Sequence, residues 1–139
     1  MLRVLELSCF SDGDVTGAIA TSIDEMDVDI LVGTGGAPEG VIAATALKCL
    51  GGDFQAQLVP QNQEEFDRCI QMGLSNPEKK VFTIDELVKS DDCFFVATGI
   101  TDGTLLKGVQ KKRRWCHANP FICGNRRQCK NFQFIEARH

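Results

Sequence analysis

Val28-Asp29-Ile30-Leu31-Val32-Gly33-Thr34-Gly35-Gly36-Ala37-Pro38-Glu39-Gly40-Val41 is the stretch on which the architecture turns. The β-branched run Val28 to Val32 predicts a short strand buried on both faces, and Gly33-Thr34-Gly35-Gly36 stops it at a turn. Pro38 has a helical φ and no N–H to leave unsatisfied, so it predicts the first position of a helix. That helix runs to about Leu50, with Val41, Ile42, Ala46, Leu47 and Leu50 on one apolar face and Gly51-Gly52 as its stop.

The same alternation extends outward in both directions. Leu2 to Leu7 alternates like a strand, and Asp12 or Asp14 can cap a helix over Val15 to Ile23. Downstream, strands are expected at Phe54 to Val59, Lys80 to Thr83 and Cys93 to Ala97. Helices are expected at Gln63 to Met72, stopped by Gly73, at Ile84 to Val88, capped by Thr83 or Asp85, and briefly at Thr104 to Val109. Such alternation predicts an α/β fold: a layered sandwich with a mostly parallel sheet flanked by helices, whose ligands bind beyond the carboxyl ends of the strands.

Three loops fall at those ends. In Gly33 to Glu39 the glycines let backbone N–H groups approach an anion, and the helix N-terminus adds roughly half a positive charge. Glu39 then either complements the helix dipole or holds a divalent cation bridging to a phosphate. Asp12-Gly13-Asp14 can cap one helix and offer a carboxylate to sugar hydroxyls, or serve as a cap alone. Thr98 to Gly103 reads either as a third ligand loop or as an ordinary turn. No Lys-Ser or Lys-Thr follows the glycines, and their spacing is not that of a dinucleotide fingerprint, so nucleotide readings are weak.

Composition bounds the rest. The chain has 139 residues, 43% hydrophobic and 24% charged, which fits one soluble globular domain. No apolar run reaches the ~20 residues needed to span a bilayer, so no membrane partner is expected. Met1 to Leu7 lacks the apolar block of a secretory signal, which gives a cytoplasmic expectation. The seven cysteines are therefore expected to be mostly free thiols.

Charge divides the chain. Residues 1–109 carry 18 acids against 7 bases, whereas residues 110–139 carry 8 bases against 1 acid. Basic residues interleaved with Trp115 and Phe121 could be read as a nucleic-acid patch, and Cys116-His117, Cys123 and Cys129 as zinc ligands. The single cysteines, seven and six positions apart, fit zinc poorly, and no nucleic-acid partner is expected.

From Asp12-Gly13-Asp14-Val15 through Val28 to Val41 the chain resembles the class II, GlpX-type fructose-1,6-bisphosphatases. The resemblance continues through Ala44 to Asp53, Met72-Gly73 and Asp91 to Gly103, and resumes at Phe134-Ile135-Glu136-Ala137. It implies a fold of the lithium-sensitive phosphatase type, present in part. It implies a gluconeogenic hydrolase that converts fructose 1,6-bisphosphate to fructose 6-phosphate and phosphate. It further implies that Glu39 ligates Mn²⁺ or Mg²⁺, and that Asp12, Gly13, Asp14 and Gly36 contact the sugar bisphosphate. No catalytic residue is assigned, and a homo-oligomer is left open.

The resemblance places residues 1–109 as a carboxyl-terminal substrate-binding lobe. Residues 110–139 form a diverged basic tail, with a last strand at 132–137. The family's Asp-Pro-x-Glu-Gly-Thr and Lys-Pro-Arg segments, which carry other metal and substrate groups, do not occur here, and Cys9-Phe10 reads as an insertion. Gln110 to Gln133 departs from the family in the manner of a compensated reading-frame change. The chain alone is thus expected to be inactive, and the alternative is a sugar-phosphate-binding fragment without catalysis.

Overall fold

A computed structural model describes residues 9, 14–103, 105–111, 115–124, 130–131 and 134–137. Four helices and eight short strands make up these residues. The first helix, α1 (Asp14–Ala20), leads through a 3₁₀ turn, Asp24–Met26, to α2 (Ala37–Leu50). Then come β1 (Gln55–Gln57), α3 (Gln63–Gln71), β2 (Val81–Thr83), α4 (Ile84–Leu87) and β3 (Phe94–Ala97). The remaining strands are β4 (Gln110–Lys111), β5 (Trp115–Ala118), β6 (Phe121–Gly124), β7 (Lys130–Asn131) and β8 (Phe134–Ala137).

Local chemistry explains the helices. In α2, Pro38 lies at the second helical position, where an N–H would have no partner in any case. Gly51, at φ 81°, ends the helix, and its N–H donates to the Leu47 carbonyl. At α3, Asn62 Oδ1 accepts from Glu65 N at 2.9 Å, satisfying one of the orphan amides of the first turn. Gly73, at φ 94°, follows α3 where a side chain would be strained. At α4, Glu86 Oε2 accepts from Thr83 N at 3.0 Å, so the helix-start chemistry at Thr83 is used.

The strands do not form the expected mostly parallel sheet. Each pairing among the described residues is antiparallel: β1 with β2, β3 with β6, β6 with β7, and β5 with both β4 and β8. Basic-region sequence supplies β6, which lies directly beside β3 with Phe95 opposite Cys123. The fold class is therefore α/β with antiparallel strand pairs.

Two further expectations are corrected. Val28 to Val32 forms no strand, and Ile30 is 75% and Val32 86% exposed. Leu31 packs against Ala18, Ala43 and Leu47, and Val28 is half-buried. A β-branched run becomes a buried strand only where a free sheet edge and a second cover meet it, and here one residue in the run finds a core. Thr104 to Val109 is not a helix among its described residues. Val109 N donates to Ile100 O at 3.1 Å and Gly103 N to Leu106 O at 2.9 Å, so the segment folds back on the loop before it.

The core sits between α2 and the β3–β6 pair. Ile19, Ala46, Cys49, Phe95 and Cys123 form one buried cluster, with Phe95 and Phe121 rings edge to face at 6.4 Å. Ala18, Ala43 and Leu47 form a second, where α1 crosses α2. Small residues on α2 let the helices approach closely. Phe94 and Val96, on the opposite face of β3, stay exposed, so β3 is covered on one side rather than two.

Candidate functional site

The open end of α2 is the candidate site. Gly36 is the N-cap at φ −68° and ψ 145°, and no side chain caps the helix there. Gly40 N donates to Gly36 O at 3.0 Å, which starts the helical ladder. The amides of Ala37 and Glu39 have no earlier helical carbonyl to meet, and Pro38 has no N–H. Positive potential from those amides and from the helix dipole is therefore directed at the loop 33–36, all of which is exposed.

Glu39, at the third helical position, folds back over the N-cap. Its carboxylate fills the place where a Cβ on Gly36 would stand. A side chain at 36 would thus displace the Glu39 carboxylate, while the backbone angles there suit any residue. Gly33 differs, since a Cβ there would meet nothing within 4 Å. The carboxylate and the anion-receptive amides share one exposed corner, which suits a cation held beside a phosphate.

The other expected site residues stand as follows. Asp12 and Gly13 lie outside the described residues; Asp14 begins α1, and its side chain is likewise outside them. Gly36 and Glu39 are brought together. Asp102, in the third loop, is spent on structure: its Oδ1 accepts from Gly108 N at 2.8 Å. A surface depression of about 470 Å³ between α3 and β2 is lined by Gly73, Leu74, Ser75, Asn76, Lys79 and Lys80, and shares no residue with the α2 corner.

Sequence reading missed two clusters at the other end of α2. Lys48 Nζ donates to Asp85 Oδ1 at 3.0 Å and to the Val88 carbonyl at 2.7 Å, and pairs with Asp91 at 3.1 Å. The hydrogen bond to Asp85, followed by Asp91, holds the ammonium above its ordinary range against the cost of burial. That Lys48 is the lone base in α2 was its only signal. Cys49 Sγ lies 3.7 Å from Cys93 Sγ, and burial pushes the Cys49 thiol up to about 11.

The described cysteines are mostly free. Cys9, Cys49, Cys69, Cys93 and Cys116 are free, as expected, but Cys123 is disulfide-bonded.

Among the described residues no group of three His, Cys, Asp or Glu side chains could hold a metal ion. A divalent metal of the hard, oxygen-seeking kind needs several oxygen donors, and Glu39 supplies a single carboxylate. The described residues therefore do not fit a complete metal centre. Among them, too, no helix is long and apolar enough to cross a membrane.

The chain is an α/β protein with an exposed, proline-containing helix N-terminus beneath a glycine loop and one carboxylate beside it. The particular family is settled by comparison: the family model described as bacterial fructose-1,6-bisphosphatase, glpX-encoded, matches residues 4–139, and the chain belongs to that family. The match runs through the basic region as well.

Relatives agree. The Haemophilus influenzae "Fructose-1,6-bisphosphatase class 2" is 43% identical over 114 residues, covering 73% of this chain and 34% of that protein. The Escherichia coli K12 "Fructose-1,6-bisphosphatase 2 class 2" is 36% identical over 141 residues, covering 92% of this chain and 43% of its own length. The Microcystis aeruginosa "D-fructose 1,6-bisphosphatase class 2/sedoheptulose 1,7-bisphosphatase" is 34% identical over 141 residues, covering 93% and 40%. The chain thus spans between about a third and somewhat under half the length of these relatives.

Proposed function

We propose that this chain is the carboxyl-terminal, substrate-binding part of a class 2 fructose-1,6-bisphosphatase, a phosphomonoesterase that converts fructose 1,6-bisphosphate to fructose 6-phosphate and phosphate. Residues 1–109 form the substrate lobe in this reading, and residues 110–139 a diverged extension. The observation that carries it is the open N-terminus of α2, with the Glu39 carboxylate folded over Gly36, in a chain of this family.

The roles follow from the chemistry of each group. Amides around Gly36 donate to a phosphate of the sugar bisphosphate, while Asp12, Gly13 and Asp14 contact the sugar, the carboxylates accepting from its hydroxyls. Glu39 is one ligand of a divalent cation, Mn²⁺ or Mg²⁺, which when bound neutralises phosphate charge. Since Glu39 is one donor, further carboxylates must come from elsewhere in the assembled enzyme. The chain by itself binds substrate without turning it over.

A second reading, a sugar-phosphate-binding fragment that never takes part in catalysis, is favoured by the absence of a three-ligand cluster among the described residues. Calorimetric titration with fructose 1,6-bisphosphate and Mn²⁺ tests the shared part of both. Glu39→Gln is expected to weaken binding tenfold or more, about 1.4 kcal/mol. Unchanged affinity in that variant would remove Glu39 from the site. Phosphate release by the purified chain at the rate of an intact relative would overturn the incomplete-site reading.

A further inference from the structure

Away from the α2 N-terminus, two cysteines meet at the helix's other end. Cys49 occupies the last turn of α2 and is 1% exposed, while Cys93 is partly exposed and immediately precedes β3. Their sulfurs are 3.7 Å apart, and Cys49 Sγ also lies 3.6 Å from the Cys93 carbonyl. A disulfide needs the sulfurs at about 2.0 Å, so a closure of under about 2 Å joins them, within reach of a rotamer adjustment at Cys93. Cys49 is part of the main core and Cys93 packs against it, beside Phe95 and Ala46.

We propose that Cys49 and Cys93 form a dithiol oxidation site that takes a low-molecular-weight disulfide such as oxidised glutathione, and closes to an intramolecular cross-link between the end of α2 and the start of β3. Cys93, the accessible member, attacks as the thiolate. Its sulfur bonds to one sulfur of the small disulfide, whose S–S bond breaks and releases one thiolate. Cys49 then loses its proton to buffer base and attacks the Cys93 sulfur, expelling the second small thiolate. Two protein thiols are oxidised, and one small disulfide is reduced to two thiols.

The division of labour follows from burial. A thiol raised to about 11 is almost wholly protonated near neutrality, so Cys49 resolves the mixed disulfide rather than starting the exchange. The second step is then the slow one, and its rate climbs as pH rises toward that value. Groups facing the pair are the backbone of Phe95, which opposes the upward shift, and Cys123, whose sulfur stands 3.5 Å from the Cys49 carbonyl. Cys123 is already disulfide-bonded and offers the rival exchange partner.

The experiment incubates the full chain with excess oxidised glutathione, quenches with acid, and counts thiols and maps peptides by mass spectrometry. The expected result is a loss of two titratable thiols, no retained glutathione, and a peptide joining Cys49 to Cys93. The link disappears with dithiothreitol and is absent in Cys93→Ser. Retention of one glutathione on Cys93 without a link to Cys49 would overturn the proposal. So would a Cys49–Cys123 cross-link, or an unchanged thiol count. Cys93→Ala, at a partly exposed position, serves equally if the serine variant misfolds. Because the site lies at the far end of α2 from Glu39, its outcome is independent of sugar-phosphate binding.

Discussion

The two ends of α2 are built on opposite plans. Its second half is buried: Ala43, Ala44, Ala46, Leu47 and Cys49 all pack inward, Lys48 ties it to Asp85, Asp91 and the Val88 carbonyl, and Gly51 closes it. Its first turn is open, with Gly36, Glu39 and Val41 exposed and no side chain capping it. One helix of 14 residues, roughly 20 Å long, thus has a packed end and an open end. The packed end anchors the helix, and at the open end the Glu39 carboxylate lies over Gly36.

The comparison predicts a split between stability and binding. Leu47→Ala, at a side chain 3% exposed, empties space between α1 and α2 and is expected to cost about 3 kcal/mol in urea unfolding. A loss below about 1 kcal/mol would mean that the packed end does not anchor the fold. Gly108→Ala comes next. A Cβ there would stand 2.5 Å from the Thr101 carbonyl carbon and 2.8 Å from Asp102 N, both backbone atoms that cannot swing aside. About 2 kcal/mol of destabilisation is expected from that overpacking. Wild-type stability would show that the Ile100–Val109 fold-back is loose.

How far the sequence could be read follows the same division. Helix boundaries were legible because their signals are local: Pro38 and Gly51 bracket α2, Gly73 follows α3, and Thr83 starts α4. The α2 corner was legible for the same reason, since glycine, proline and glutamate act through the backbone beside them. Sheet partners were not. Whether Cys93 to Ala97 lies beside a parallel neighbour or beside Phe121–Gly124 depends on residues far along the chain, and the basic composition of that region concealed a core strand. Val28 to Val32 misled because β-branching reports a preference, and only contact with a sheet edge makes it a strand. Lys48 and the Cys49–Cys93 pair were invisible, since their partners are 37 and 44 residues away.

Capping offers a finer version of the contrast. Helix α3 is closed by a side chain: Asn62 Oδ1 accepts from Glu65 N, and Glu65 Oε2 in turn accepts from Gln61 N at 2.8 Å. Asn62→Ala should therefore cost about 1 kcal/mol, read from the urea midpoint. If the loss is nil, the first turn of α3 is already held by packing.

Gly36→Ala is the smallest change and the sharpest. The new methyl would occupy the place of the Glu39 carboxylate, which is the far end of a flexible side chain and can rotate away. The helix start keeps its ordinary backbone angles, so stability is expected to shift by less than about 1 kcal/mol. Affinity for fructose 1,6-bisphosphate with Mn²⁺ should nevertheless fall as in Glu39→Gln, because the displaced carboxylate no longer sits beside the amides. A variant that bound normally with its carboxylate displaced would uncouple Glu39 from the α2 N-terminus, and the open end would then act through its amides alone.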